Sequence, residues 1–226
     1  MFGPSDLFDL EQCEHAELFD GAEFAWDALK GIQQYISDNV KPVLENECLG
    51  AAWIGTSVYI GPGTVVEDGV MIKGPAIIGA NCEIRHGAYI RENVIVGDGC
   101  VVGNSSELKN SLLFNGCQVP HFNYVGDSIL GYKAHLGAGV ILSNLKVVSG
   151  NVVLKHEGRM IDTGLRKFGA MVGDHVDIGC NSVLNPGSVI GRNSMLYPCT
   201  NWRGVVPADR IVKNKAATEL VELRRE

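Results

Sequence analysis

The sequence predicts an all-β solenoid, a left-handed parallel β-helix of hexapeptide repeats with N-terminal and C-terminal helical caps. Three observations predict it. An aliphatic residue recurs every six positions through Ile54, Ile60, Val66, Ile72, Ile78, Ile84, Ile90, Val96, Val102 and Leu108. Glycine often follows it, as at Gly55, Gly61, Gly79, Gly97 and Gly103. Four residues after it stands a small or branched side chain, such as Val58, Thr64, Ala88 or Cys100. Each such hexad makes one short strand and one turn, and three hexads make a triangular coil.

The register slips by one residue and continues through Leu113, Val119 and Val125, then slips again to Leu130, Leu136 and Leu142. It resumes at Val172, Ile178, Leu184, Ile190 and Leu196. The repeated aliphatic points inward and stacks on its counterpart in the next coil. Coils are spaced like the strands of a sheet, about 4.8 Å apart, so seven or eight of them make a prism about 35–40 Å long. Left-handed coiling is an exception to the usual right-handed crossover.

Three segments follow from this pattern: a helical N-terminal cap over 1–50, the β-helix over 51–206 with an insertion at 145–170, and a C-terminal helix over 207–226. Trp26, Leu29, Ile32, Ile36 and Val40 stand at helical spacing, which predicts an amphipathic helix over 24–39. Its expected place is over the first coil, whose open end is a bare strand edge. The insertion alternates at Asn151–Lys155, which predicts a small hairpin outside the prism, on the binding face.

Composition narrows the function. The formal charge of −7 argues against a nucleic-acid-binding surface. The acidic start MFGPSDLFDLEQ has no apolar core of a secretory signal, and no window approaches a membrane span, so a cytoplasmic protein without membrane attachment is expected. The 7 cysteines include no CxxC pair. Cys82, Cys100 and Cys117 share one repeat position, as small core residues do, and no zinc site is expected.

The departures from the repeat carry the chemistry. The glycine-favoured position is filled by Arg85, Arg91 and Lys109. Arg85 reads as a solvated surface charge. Arg91 and Lys109 are 18 residues apart, which stacks them on one edge of successive coils. Two cations stacked in this way are what a phosphate site needs. In VPHFNYVGD, residues 119–127, Pro120 and His121 replace the aliphatic-glycine pair and Asn123 replaces the small corner residue. His121 then lies within a coil of Glu107, Lys109 and Tyr124.

These motifs together resemble a known family. Gly103-Asn104 with Glu107 and Lys109, His121 with Tyr124, Gly126-Asp127, Leu136-Gly137-Ala138-Gly139 and Asn144 stand in its order. The segment 54–200 is similar to the acetyltransferase half of the bifunctional N-acetylglucosamine-1-phosphate uridyltransferase/glucosamine-1-phosphate acetyltransferases. The resemblance implies N-acetylation of an amino-sugar 1-phosphate by acetyl-CoA, with no metal required. It implies His121 as general base, Glu107 orienting its imidazole, and Asn144 holding the amine or the tetrahedral centre. Arg91, Lys109, Tyr124 and Lys167 would clamp the sugar phosphate, with His135 on the acceptor side. A backbone N–H near Gly137 and Ala138 would stabilise the oxyanion, and Cys180 and Pro198 would line the CoA arm. It further implies a homotrimer with sites between subunits.

The match departs from the family in places. About 50 helical residues stand where the family carries a nucleotidyltransferase domain, so no uridylyl transfer is expected. His135 stands for a family asparagine, Leu145 for a tyrosine, and the segment after Asn144 is longer. These changes lie on the acceptor side. Three other readings stay open: an acceptor that is a nucleotide-linked amino sugar, a non-catalytic scaffold of a sugar nucleotidyltransferase, and a prism-shaped carbonic anhydrase. The last needs two histidines about five residues apart on one edge, whereas His121 and His135 are 14 apart.

Overall fold

A computed structural model describes residues 2–42, 44–48, 50–214 and 222. The chain winds into a parallel β-solenoid with three faces. The first face stacks Ala76–Ile78, Val94–Val96, Ser111–Leu113, Ile129–Leu130, Ala170–Val172 and Ser188–Ile190. The second stacks Glu83–Ile84, Val101–Asn104, Gln118–His121, His135–Leu136, Asp177–Ile178 and Met195–Leu196. The third, an 8-stranded sheet, runs from Trp53–Ile54 through Tyr89–Ile90, Glu107–Lys109, Tyr124–Gly126, Ile141–Leu142 and Val183–Leu184 to Asn201–Trp202. The long strand Val58–Val66 turns a corner and joins the first two faces.

The repeated aliphatics form the core. Ile60, Ile72, Ile78, Ile84, Ile90, Val102, Leu108, Val119, Leu136 and Leu184 are all 0% exposed. Burying each such side chain contributes about 1.5–3 kcal/mol. Their register is the predicted one: Leu108 opposes Ile90 and Val125, and Leu136 opposes Ile178. The cysteine column is also interior, with Cys82, Cys100 and Cys117 thiols donating to carbonyls of Gly97, Phe114 and Gly131 at 3.1, 3.1 and 3.0 Å. Corners need left-handed backbone, which explains Asn81, Asn93, Asn110, Asn181 and Asn193 at φ of 45 to 60°.

The ends differ from expectation. The helix Ala28–Asn39 forms as predicted, preceded by a 3-10 turn at Ala25–Asp27. It lies along the first face, however, and not over the first coil. Residues 2–40 wrap that face as an arm: Phe8 stacks on Phe114 at 5.0 Å and Trp26 meets Phe168 at 5.7 Å. Asp174, 4% exposed, fixes the arm by accepting the Asp9 N–H at 2.7 Å and the Tyr132 N–H at 2.8 Å. The aromatic residues Phe2, Phe8, Phe19 and Trp26 have large apolar faces that a solenoid end of two or three side chains could not bury, which is why the arm follows the face. The first coil is covered by the strand Leu44–Cys48, whose backbone pairs with Val58–Val66.

The insertion leaves after Leu142, forms the hairpin Val153–His156 with Arg159–Asp162, and returns at Ala170. At the other end the β-helix passes the expected boundary at residue 206. Ile211–Val212 pairs with Met195–Leu196, so no helix occupies 207–214. Ile211 and Val212 continue the strand alternation, which outweighs the breaking effect of Pro207. The rest of the expected C-terminal helix, except residue 222, lies outside the described residues.

Candidate functional site

The third face is bounded by two corners, and the sequence-predicted residues divide between them. Where the second face turns into the third stands His121. Its turn is held from below by Asn123, 2% exposed, whose Oδ1 accepts the His121 N–H at 3.0 Å while its Nδ2 donates to the Gly137 carbonyl at 2.8 Å. Close approach fixes the neighbour: a Cβ on Gly103 would lie 1.7 Å from the Pro120 oxygen. Phe122 takes φ of 52° and is 60% exposed, an unusual state for a bulky residue and one that marks strain at this corner. The His121 side chain is exposed and has no hydrogen-bond or ion-pair partner among the described residues.

The same corner continues through Gly137 and Ala138, then Cys180, then Pro198 on successive rungs. Along the adjoining second face runs a groove of about 330 Å³, lined by His135, Gly137, Ile178, Cys180, Leu196, Tyr197 and Pro198. Gly137 is required here, since a Cβ would meet Cys180 Sγ at 3.0 Å and its backbone N at 2.7 Å. His135 is tied to Asp177, Nδ1 to Oδ1 at 3.2 Å. All four residues expected to meet the acyl carrier therefore share one edge with His121. The apolar character of the groove suits the arm of a thioester carrier.

Where the third face turns into the first, a charged network occupies the corner. Glu107 and Arg91 form an ion pair at 2.9 Å, and Arg91 Nε lies 3.6 Å from Glu92. That Nε is buried with no hydrogen-bond acceptor. Lys109 stands 3.6 Å from Asp127, whose side chain is 7% exposed. Asp127 also accepts from Asn110 Nδ2 at 2.9 Å and from Asn144 Nδ2. Gly126 leaves room for this: a Cβ there would come within 2.6 Å of the Tyr124 hydroxyl and 2.7 Å of Asn144 Nδ2. Burial, then the charges of Glu107 and Asp127, hold the Tyr124 phenol above its ordinary pKa. The Glu107 hydrogen bond likewise raises Arg91. Lys167 comes to this corner through the backbone, because Phe168 N–H donates to Asn144 O at 2.9 Å and Lys167 bridges Leu145.

Two expectations are altered by this geometry. Arg91 and Lys109 do occupy successive rungs, but each has a carboxylate beside it. Glu107 contacts Arg91, and no contact joins it to His121 among the described residues. Glu107 opens its third-face strand opposite Tyr124, on the side of the His121 corner, but its carboxylate reaches to Arg91 on the neighbouring rung. Sequence reading named Asp127 only within a Gly-Asp motif and Asn123 only as a replaced corner residue, and gave neither a role, although Asp127 is the hub of the network and Asn123 supports the His121 turn. The signal was present for Asp127, which stands 18 residues after Lys109 and hence one coil on. Among the described residues no group of His, Cys, Asp or Glu side chains is arranged to hold a metal ion.

Comparison with known proteins gives consistent matches. The family described as the GMPPB C-terminal domain matches residues 72–166. A bifunctional sugar-1-phosphate nucleotidylyltransferase/acetyltransferase from Sulfurisphaera tokodaii is 38% identical over 94 residues, 42% of this chain and 23% of that protein. A putative uncharacterized acetyltransferase from Escherichia coli, YaiX, is 33% identical over 141 residues, 62% of this chain and 61% of its own length. Among solved structures, UDP-N-acetylglucosamine acyltransferase from Campylobacter jejuni covers 71% of this chain and 69% of its own, with 16% identity and a TM-score of 0.48. The chain thus spans less than a quarter of the first of these relatives. Over that part it is similar to the bifunctional sugar-1-phosphate nucleotidylyltransferase/acetyltransferases.

Proposed function

We propose that the protein is a CoA-dependent acyltransferase that N-acetylates an amino sugar carrying a phosphate at its anomeric position, glucosamine 1-phosphate being the simplest such acceptor. The observation that carries this reading is the exposed His121 imidazole, without a partner among the described residues, on the same edge as the apolar groove through Gly137, Cys180 and Pro198. An ammonium group must lose a proton before it attacks a thioester. Histidine is the side chain suited to accept an N–H proton near neutrality. The first proton leaves for solvent; as the resulting amine forms the amide bond and the carbon–sulfur bond breaks, the imidazole takes the second N–H proton and passes it to the departing thiolate. In the Gly137–Gly139 turn the Gly137 and Gly139 N–H groups donate to the Ile178 and His121 carbonyls, which leaves the Ala138 N–H to stabilise the developing oxyanion. Arg91, Lys109, Tyr124, Asn144 and Lys167 hold the acceptor at the opposite corner. Both corners of one prism supply these groups, and a homotrimer would bring a further face against them.

A second reading, a non-catalytic prism, is favoured by one observation: Glu107 and Asp127 already neutralise Arg91 and Lys109. Release of free CoA thiol separates the two. The protein is offered acetyl-CoA with glucosamine 1-phosphate, galactosamine 1-phosphate or a nucleotide-linked amino sugar. Turnover with one acceptor, lost in His121→Ala, supports the enzyme. Silence with all three leaves the scaffold.

A further inference from the structure

The outward column of the third face that holds Arg91 and Lys109 continues beyond the charged network. Lys109 opposes Gly126, and the column then runs through Ser143 and Asn185 to Arg203. Lys109 and Arg203 are four rungs apart, about 19 Å along the prism at sheet spacing. Of the three positions between them, Gly126 is covered by the Tyr124 hydroxyl and the Asn144 amide, while Ser143 and Asn185 are small, so a trough opens from that cover to Arg203, with Lys109 beyond its closed end. One wall is Tyr124, Ile141 and Val183, the outward residues next to the column. The other is the start of the insertion, where Leu145 is 47%, Val148 74% and Val147 fully exposed. Lys146 in this wall is tied back to the Asn151 carbonyl. A cavity of about 410 Å³ fills the Arg203 end, lined by Ser143, Leu145, Val147, Val148, Asn185 and Arg203.

The cations of the trough are not equivalent. Arg91 and Lys109 have carboxylate partners, whereas Arg203 and Lys167 are exposed and in no ion pair among the described residues. A single sugar phosphate at the Lys109 end would leave the far cavity, the open guanidinium and the exposed valines without a role. An elongated ligand with two linked phosphates and a flat apolar end matches all three. A guanidinium fork suits adjacent phosphate oxygens, and valine tips gain by burial against a base.

We propose that this trough is a nucleoside-diphosphate subsite, so that the acceptor is a nucleotide-linked amino sugar, its diphosphate reaching Arg203 and its nucleoside covering Val147 and Val148. The placement of the sugar end rests on the acyltransferase reading above; the subsite itself is tested without it.

The test is calorimetric titration of the protein with UDP, GDP and inorganic phosphate, with no acyl donor present. At least one nucleoside diphosphate is expected to bind ten-fold or more tighter than phosphate. Arg203→Ala and Ser143→Tyr, the second filling the trough, should each weaken it ten-fold or more. Arg85→Ala, which removes a guanidinium paired with Glu83 elsewhere on the prism, should leave it unchanged. Binding no tighter than phosphate, or binding indifferent to both trough variants, overturns the subsite. That failure, with CoA release on a sugar 1-phosphate intact, leaves the acyltransferase standing. Nucleotide binding of the expected pattern without any acyl transfer keeps the subsite and removes the enzyme.

Discussion

The two corners of the third face are made of the same repeat yet are finished in opposite ways. At the His121 corner the polar work is internal: Asn123 satisfies backbone groups beneath the turn, and the imidazole above it is left open. At the Asp127 corner the outward side chains pair with one another, Arg91 with Glu107 and Lys109 with Asp127, and leave only Arg91 Nε without an acceptor among them. An open imidazole can exchange protons with a ligand at once. A closed ion-pair network can only bind an anion by sharing or surrendering its carboxylates, which costs part of the binding energy. The corner that resembles a phosphate clamp in sequence is therefore the less ready of the two.

That contrast can be broken most forcefully at His121. His121→Ala should lower turnover by at least about 100-fold, the usual scale of a general base, with KM for the acceptor little changed. Retained turnover in steady-state assays would remove the base from this corner. Glycine replacements compare the corners by stability. In Gly103→Ala the new Cβ meets the Pro120 carbonyl, backbone that cannot swing aside, and a loss of about 3 kcal/mol in denaturant unfolding is expected. In Gly126→Ala it meets the Tyr124 hydroxyl and the Asn144 amide, which can rotate away, so about 1 kcal/mol is expected. Equal losses would mean that both corners are fixed by backbone alone.

Charge removal sharpens the comparison further. Lys109→Ala should raise the acceptor KM roughly ten-fold and leave kcat nearly unchanged, as expected for loss of a charge-assisted contact. Glu107→Gln, by freeing Arg91, should lower that KM by a few-fold. A rise in both would place Glu107 on the substrate instead. The smallest effect concerns pH. The native state holds the Tyr124 proton more tightly than the unfolded chain does, chiefly through burial. Its contribution to stability is complete below the unfolded phenol value of about 10 and is lost as pH rises through the higher folded value. Tyr124→Phe should make alkaline unfolding slightly less steep, measured by thermal midpoints across that range.

The core was legible because the inward position repeats: the aliphatics of the six-residue series from Ile60 to Leu196 are all buried, whereas Ile95, Leu112 and Ile129, buried on the first face, lie outside that series. The hairpin at Val153–Asp162 was legible by alternation. The ion pairs were not, because a period says which rung a residue occupies and not which carboxylate its long side chain reaches. Lys109 and Asp127 illustrate this, one coil apart and yet in different hexads. The arm was misplaced for a different reason. Helical spacing shows that Leu29, Ile32 and Ile36 need cover, but both the prism end and the first face could supply it.

The arm has a consequence for how the chain assembles. A solenoid normally couples only neighbouring rungs and can grow from either end. Here the Asp9 N–H waits for Asp174, 165 residues later, and Trp26 waits for Phe168. The arm precedes all of these partners in the chain: Phe114 is reached midway through the solenoid, whereas Phe168 and Asp174 come only after most of it. Phe8 and Phe19 can dock on Phe114 before that, but the arm is fastened at Trp26 and Asp9 only when the later coils are in place.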